Sequence, residues 1–253
     1  MFLIIGRYIH NFFTELGGLS HLLWRIISNL RHLHHDRKLF TEQAVRLGYD
    51  SIPLVLLVGI FTGAVSAWQA NYQFEGYIPI KYLGSAVYKA VVIELSPVLT
   101  GLVIAGRVSA SIAAELGSMK VTEQIDALES LAINPIRFLV LPRFAANTFM
   151  MPVLVIFAAF IAILGGFIVA NLFMGLSSTT FFSEIPRHFY LYDLFVCLSK
   201  AFTFGAITSL VGCYIGFNTE GGAEGVGKAT IKAFVWSSIL ILMADYILAT
   251  LLF

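Results

Sequence analysis

Residues 86–117 read Ala-Val-Tyr-Lys-Ala-Val-Val-Ile-Glu-Leu-Ser-Pro-Val-Leu-Thr-Gly-Leu-Val-Ile-Ala-Gly-Arg-Val-Ser-Ala-Ser-Ile-Ala-Ala-Glu-Leu-Gly. A helix needs about 20 apolar residues to cross roughly 30 Å of hydrocarbon, and this stretch is long and apolar enough to do so. It nevertheless carries Glu94, Arg107 and Glu115. Ionisable groups inside a bilayer cost about 3 kcal/mol or more and face a cavity or a partner, so each charge asks for a reason. Ala105, Ser109, Ala113 and Gly117 recur every four residues and form a smooth ridge on which another helix can pack closely. Glu94 lies beside Pro97, whose ring removes a helical hydrogen bond and favours a kink. Helix glue and substrate pathway both fit it. Arg107 is thirteen residues further on, about 20 Å along a helix, too far to pair with Glu94. Arg107 and Glu115 read as structural polar groups that reach headgroups or neighbouring helices near the span's end.

The rest of the chain agrees with a membrane setting. Of 253 residues, 58% are hydrophobic and 12% charged, with a mean hydropathy of +0.84. Soluble domains average about half apolar and a quarter charged, and disordered chains lack the aromatic content seen here. Four further spans follow from long apolar windows: Pro53 to Ala70, Arg143 to about Asn171, Asp193 to Phe217, and Ile231 to Leu252 with Asp245 inside it and Ile241 read as lipid-facing. In the first, Gly59 and Gly63 stand at the spacing that lets helices touch. The fold expected is therefore an all-α integral membrane protein of about five spans.

Loop charges set its orientation. Arg7, Arg25, Arg31, Arg37, Lys38, Arg46, Lys120, Arg137, Arg143, Lys228 and Lys232 fall on one side, against Lys81, Lys89 and Arg187 on the other. The positive side is cytoplasmic, which predicts a cytoplasmic N-terminus and an exported C-terminus. Residues 1–50 lack the basic start and cleavage site of a signal peptide. They read as a separate interfacial segment before a transmembrane domain at 51–253. Arg7, His10, Asn11 and Thr14 share one helical face, and Phe2, Ile5, Ile9, Phe12 and Leu16 the other.

Several apparent motifs carry no chemistry. Gly222 to Lys228 fits GxxxxGK, but Ala229 supplies no hydroxyl for magnesium and a membrane span precedes it, so a flexible cytoplasmic turn is expected instead. His32, His34 and His35 lie among basic residues and read as a headgroup-facing patch, not a metal site. Cys197 and Cys213 read as small core residues. A net charge of +1 gives no field that would recruit nucleic acid.

A short cytoplasmic helix is expected over Met119 to Leu131, ended by Asn134-Pro135. Val121, Ile125 and Leu128 form an apolar stripe beside Glu123, Asp126 and Glu129. Three carboxylates against Lys120 disfavour an anionic membrane surface and favour a protein partner.

Taken together, Glu94-Leu-Ser-Pro-Val-Leu-Thr-Gly-Leu-Val-Ile-Ala-Gly-Arg107, Ala114-Glu-Leu-Gly117, Thr122-Glu-Gln-Ile-Asp-Ala-Leu128, Ile133-Asn-Pro135, Pro142-Arg143 and Gly221 to Thr230 resemble the MlaE permease family. The resemblance covers most of the chain after about residue 45. It implies the membrane subunit of a bacterial inner-membrane ABC transporter that moves phospholipid or a related lipid between membranes. It also implies a second copy of the chain, two cytoplasmic ATPases that hold the ATP and magnesium, a Mce-domain lipid-binding protein on the periplasmic side, and a STAS-domain regulator. No cofactor is expected on this chain. On that basis Lys120, Val121, Glu123, Gln124, Ile125, Asp126 and Leu128 are expected to couple to the ATPase. Glu94, Leu95, Val98 and Leu99, with Trp68 and Tyr77, are expected to line the lipid cavity. The family often has a basic residue immediately before the glutamate, where this chain has Ile93, and Lys89 is the candidate replacement.

Two rival classes are a lipid-modifying membrane enzyme using Glu94, His188 and Arg107, and a passive channel or scaffold. The first lacks a nucleophile and base at workable spacing. The second needs no docking helix.

Overall fold

The computed structural model describes residues 2–32, 37–74 and 77–252, with side chains of the first helix described from Thr14. The face partition read for Phe2 to Phe12 and the histidines His34 and His35 lie outside what is described. Among the described residues, five helical runs are long and apolar enough to span a bilayer: Arg37–Phe74, Ile80–Val121, Ile136–Met174, Leu191–Phe217 and Gly222–Leu252. Among the described residues every regular element is helical.

Small residues decide how the spans pair. A Cβ added at Gly63 would stand 1.7 Å from the Ala162 carbonyl oxygen, and one at Gly165 2.2 Å from that of Ile60. The first and third spans thus meet backbone to backbone, as the Gly59/Gly63 spacing predicts. The ridge of the second span is used in the same way. A Cβ at Gly212 would lie 2.7 Å from the Ser109 carbonyl, and Ser109 Oγ bonds Ser237 Oγ of the fifth span at 2.8 Å. Ala105, Ser109 and Ala113 are fully buried there. Ile241 is buried as well, against Gly101, so it faces the bundle and not lipid.

The kink expected at Pro97 takes a specific form. Proline cannot donate a backbone hydrogen bond and crowds the carbonyl four residues back. The helix widens into a π-turn over Val91–Leu95 just ahead of it. Further π-turns occur at Ala44–Gly48, Ala105–Ser109 and Ile136–Val140. The four turns contain Arg46, Glu94, Arg107 and Arg137 in chain order. Such turns bulge the helix surface and concentrate at functional positions.

Three boundaries differ from the sequence reading. The first span begins as a continuous helical path at Arg37, so a division at residue 50 falls inside it. The fifth helix begins at Gly222, which places the GxxxxGK stretch within its first two turns, where Glu224 pairs with Lys228 at 2.7 Å. A flexible turn is thereby replaced by helix. The short helix after the second span covers only Gln124–Ser130, because Met119 to Val121 continue the span and Glu123 turns left-handed at φ 59°. Ala132 at φ 58° ends the short helix, and the Asn134 side chain accepts from the Ile136 amide to start the third span.

The N-terminal helix Phe2–Asn29 runs unbroken through Gly17 and Gly18. Gly18 sits against the Tyr214 ring, Ile26 is fully buried, and Glu15 pairs with Lys232. Its second half is therefore docked on the ends of the third, fourth and fifth spans. Alternation of span direction puts this helix, the short helix and the start of the fifth span at one end of the bundle.

Candidate functional site

An apolar cavity of about 670 Å³ opens between the first span and the Ala90 to Leu99 part of the second. Leu57, Phe61 and Val65 form one wall, and Leu95 and Leu99 the other. Gln69 and Gln73 lie beside Ala90 toward the outer end, opposite the N-terminal helix. The cavity is thus amphipathic, with amide groups at its outer end and only aliphatic and aromatic surface, plus Thr62 and Ser66, further in. Its size is that of a pocket for a small amphiphile.

Next to this wall the bundle holds a buried ion network. Lys200 is fully buried in the fourth span, with its Nζ 2.6 Å from Glu94 Oε2 and 2.8 Å from Asp245 Oδ1. It ties the second, fourth and fifth spans together about 15 Å from the outer end of its helix. One cation between two carboxylates offsets part of the cost of burying them in a bilayer interior, with Asp245 Oδ1 in ion-pair contact but making no hydrogen bond. One level outward, Lys89 lies 3.6 Å from Asp193 and 4.7 Å from the Tyr190 ring centre. The same two helices therefore exchange charges twice, Lys89 to Asp193 and Glu94 to Lys200. Tyr88 Oη and Asp193 Oδ2 are buried there without hydrogen bonds.

At the opposite end, Glu115 takes Arg46 at 2.6 Å and Arg143 at 3.2 Å, while Arg107 donates to Ser51 Oγ. Arg107 and Glu115 bond neighbouring helices and join the first, second and third spans.

Comparison with known proteins bears directly on this arrangement. The family described as Permease MlaE matches residues 40–251, the whole five-span bundle with its cavity and ion network. The chain belongs to the MlaE permease family. It is similar to a probable ABC transporter permease protein of Rickettsia typhi, 38% identical over 250 residues that cover 99% of this chain and 96% of that one. It is also similar to a probable ABC transporter permease protein of Synechocystis, at 37% over 241 residues, covering 95% and 92% of the two chains. The intermembrane phospholipid transport system permease protein MlaE of Haemophilus influenzae is 31% identical over 250 residues, covering 98% and 96%. This MlaE-family chain is a multi-pass membrane protein and an ABC transporter permease subunit.

In this permease the residues expected at the site fall into distinct places. Leu95 and Leu99 line the cavity. Val98 packs against the core beside them. Glu94 and Lys89 lie on the adjoining face and are engaged by the fourth span. Trp68 is outside the lining and meets Phe173 edge to face at 5.8 Å. Tyr77 is 90% exposed beyond the end of the first span. Thr62, Ser66, Gln69 and Gln73 recur at helical spacing, a signal in the first span that the sequence reading passed over. Lys200, Asp193 and Asp245 were likewise missed as a set, although Asp193 and Lys200 share one face two turns apart.

The stripe expected to dock on an ATPase is turned inward. Ile125 is buried in the chain's own core, and Leu128 packs against it. The short helix instead exposes Glu123, Gln124, Asp126 and Glu129, with Leu131 at 71% exposure beside them. Lys120 pairs with Asp126 at 2.8 Å. The apolar face anchors the turn because seven residues of helix cannot hold themselves in water without tertiary packing.

Proposed function

We propose that this permease moves phospholipid or a related lipid between the inner and outer membranes, driven by ATP hydrolysis on a separate subunit. The observation that carries the reading is the amphipathic cavity, whose aliphatic depth suits acyl chains and whose Gln69 and Gln73 end suits a polar headgroup. The name of the Haemophilus relative supports the same substrate class. Two copies of the chain enclose the lipid path, two ATPases sit on the cytoplasmic end, and a Mce-domain protein receives or delivers lipid on the periplasmic side. A STAS-domain protein regulates the ATPases. The N-terminal helix lies in the cytoplasmic interface, the N-terminus is cytoplasmic and the C-terminus periplasmic, in accord with the loop charges.

The exposed Gln124 and Asp126 of the short helix, together with Leu131, form the ATPase contact. Ile125 and Leu128 hold it rigidly to the second span, so displacement of the contact moves a helix packed backbone to backbone in the bundle.

The test is photocrosslinking in membranes. A photoreactive residue at Leu99 should capture lipid more strongly than one at Leu242, which is half exposed on the fifth span. Equal labelling at the two positions overturns the cavity assignment.

A further inference from the structure

A second cavity, about 580 Å³, lies at the end of the bundle opposite the amide-lined mouth. It is walled by His21, Leu22 and Arg25 of the N-terminal helix, Glu129 of the short helix, Ile136 at the start of the third span and Phe217 at the end of the fourth. No part of the lipid cavity or of the ion network reaches it.

Its charges are arranged in an unusual way. His21 and Arg25 stand one helical turn apart on one wall, and Glu129 stands on the other. Arg25 and Glu129 do not pair with each other, and neither they nor His21 forms an ion pair or side-chain hydrogen bond with another described residue, Lys120 being near enough to Glu129 to feel its charge but not bonded to it. A cationic wall and an anionic wall are thus held apart across an open space. Between them Leu22, Ile136 and Phe217 supply apolar surface.

We propose that this groove binds the headgroup of an amine-bearing zwitterionic phospholipid. The phosphodiester takes the Arg25 guanidinium and the His21 imidazole, since arginine offers a forked set of donors to phosphate oxygens. The ammonium takes the Glu129 carboxylate. The glycerol and first methylenes lie on Leu22 and Phe217. A purely anionic lipid satisfies only the first wall and meets repulsion from Glu129. A lipid held this way links the N-terminal helix to the short helix through Glu129, so it stabilises the seat of the ATPase contact without being the transported molecule. The site stands apart from the transport reading, and the two fail separately.

The test uses the full-length chain in nanodiscs with a benzophenone amino acid at Phe217, and a parallel probe at Leu99. The probe at Phe217 should crosslink phosphatidylethanolamine in preference to phosphatidylglycerol. Arg25→Gln should reduce that crosslink about tenfold, the loss of roughly 1.4 kcal/mol of binding, and leave the Leu99 crosslink unchanged. Glu129→Gln should abolish the preference for the amine lipid. Both side chains project into open space, so either variant folds, and the Leu99 crosslink verifies this. Equal labelling by the two lipids in the unmodified chain, or no loss in Arg25→Gln, overturns the proposal. Full competition by soluble glycerophosphoethanolamine overturns its lipid part, because a small solute would then be the occupant.

Discussion

Replacing Lys200 with methionine keeps the side chain's length and removes its charge, which isolates the role of the buried ion network. The ammonium sits 2.6 Å from Glu94 and 2.8 Å from Asp245 with no exposure of its own. At an effective permittivity of about 20, each contact is worth about 6 kcal/mol before desolvation and the mutual repulsion of the carboxylates are counted. Measured losses on removing one partner from a buried pair run about 3–5 kcal/mol, because the remaining charge is stranded. Lys200→Met should therefore lower unfolding stability by about 3–5 kcal/mol. Glu94→Gln should cost less, about 1 kcal/mol, since Asp245 still holds the lysine and the Glu94 side chain is 43% exposed. The triple variant Lys200→Met, Glu94→Gln, Asp245→Asn strands no charge and should recover most of the loss. Denaturant titration of the purified chain in bicelles, followed by tryptophan fluorescence, measures all three. A Lys200→Met chain as stable as the original, or a triple variant no better than the single, would refute the argument that Lys200 holds the carboxylates of Glu94 and Asp245 within the bundle.

Three other outcomes are expected. Gly63→Val places a side chain where a Cβ alone comes within 1.7 Å of the Ala162 carbonyl, so it should destabilise the chain by about 3 kcal/mol or more and reduce Leu99 photocapture, both read on purified protein. Ile125→Asp buries a charge and should lower stability by about 3 kcal/mol or more, whereas Leu131→Asp should leave unfolding unchanged and weaken retention of the ATPase on purification. If both variants unfold alike, or Leu131→Asp retains the ATPase fully, the exposed face is not the contact. A reporter active only outside the cytoplasm, fused after Leu252, should give signal; a stable but silent fusion contradicts the orientation.

Composition and long apolar windows by themselves determined the number of spans, because the length of hydrocarbon to be crossed is a one-dimensional constraint that the chain must meet residue by residue. The ridge from Ala105 to Gly117 and the pair Gly59 and Gly63 announced close helix contacts for the same kind of reason: periodicity along one helix is a local property. Leu95 and Leu99 were legible as lining residues from their place next to a membrane-embedded carboxylate and a proline. What pairs with what was not local. Glu94 meets Lys200 from 106 residues away and Asp245 lies 45 residues beyond that, so only the packing of three helices showed that the charges compensate one another. The apolar stripe of Ile125 and Leu128 had the right period for a docking face, yet period says that a face is buried and not against what. Tertiary structure turned that face inward, because a seven-residue helix gains its stability from the bundle, and left Asp126, Glu129 and Leu131 exposed.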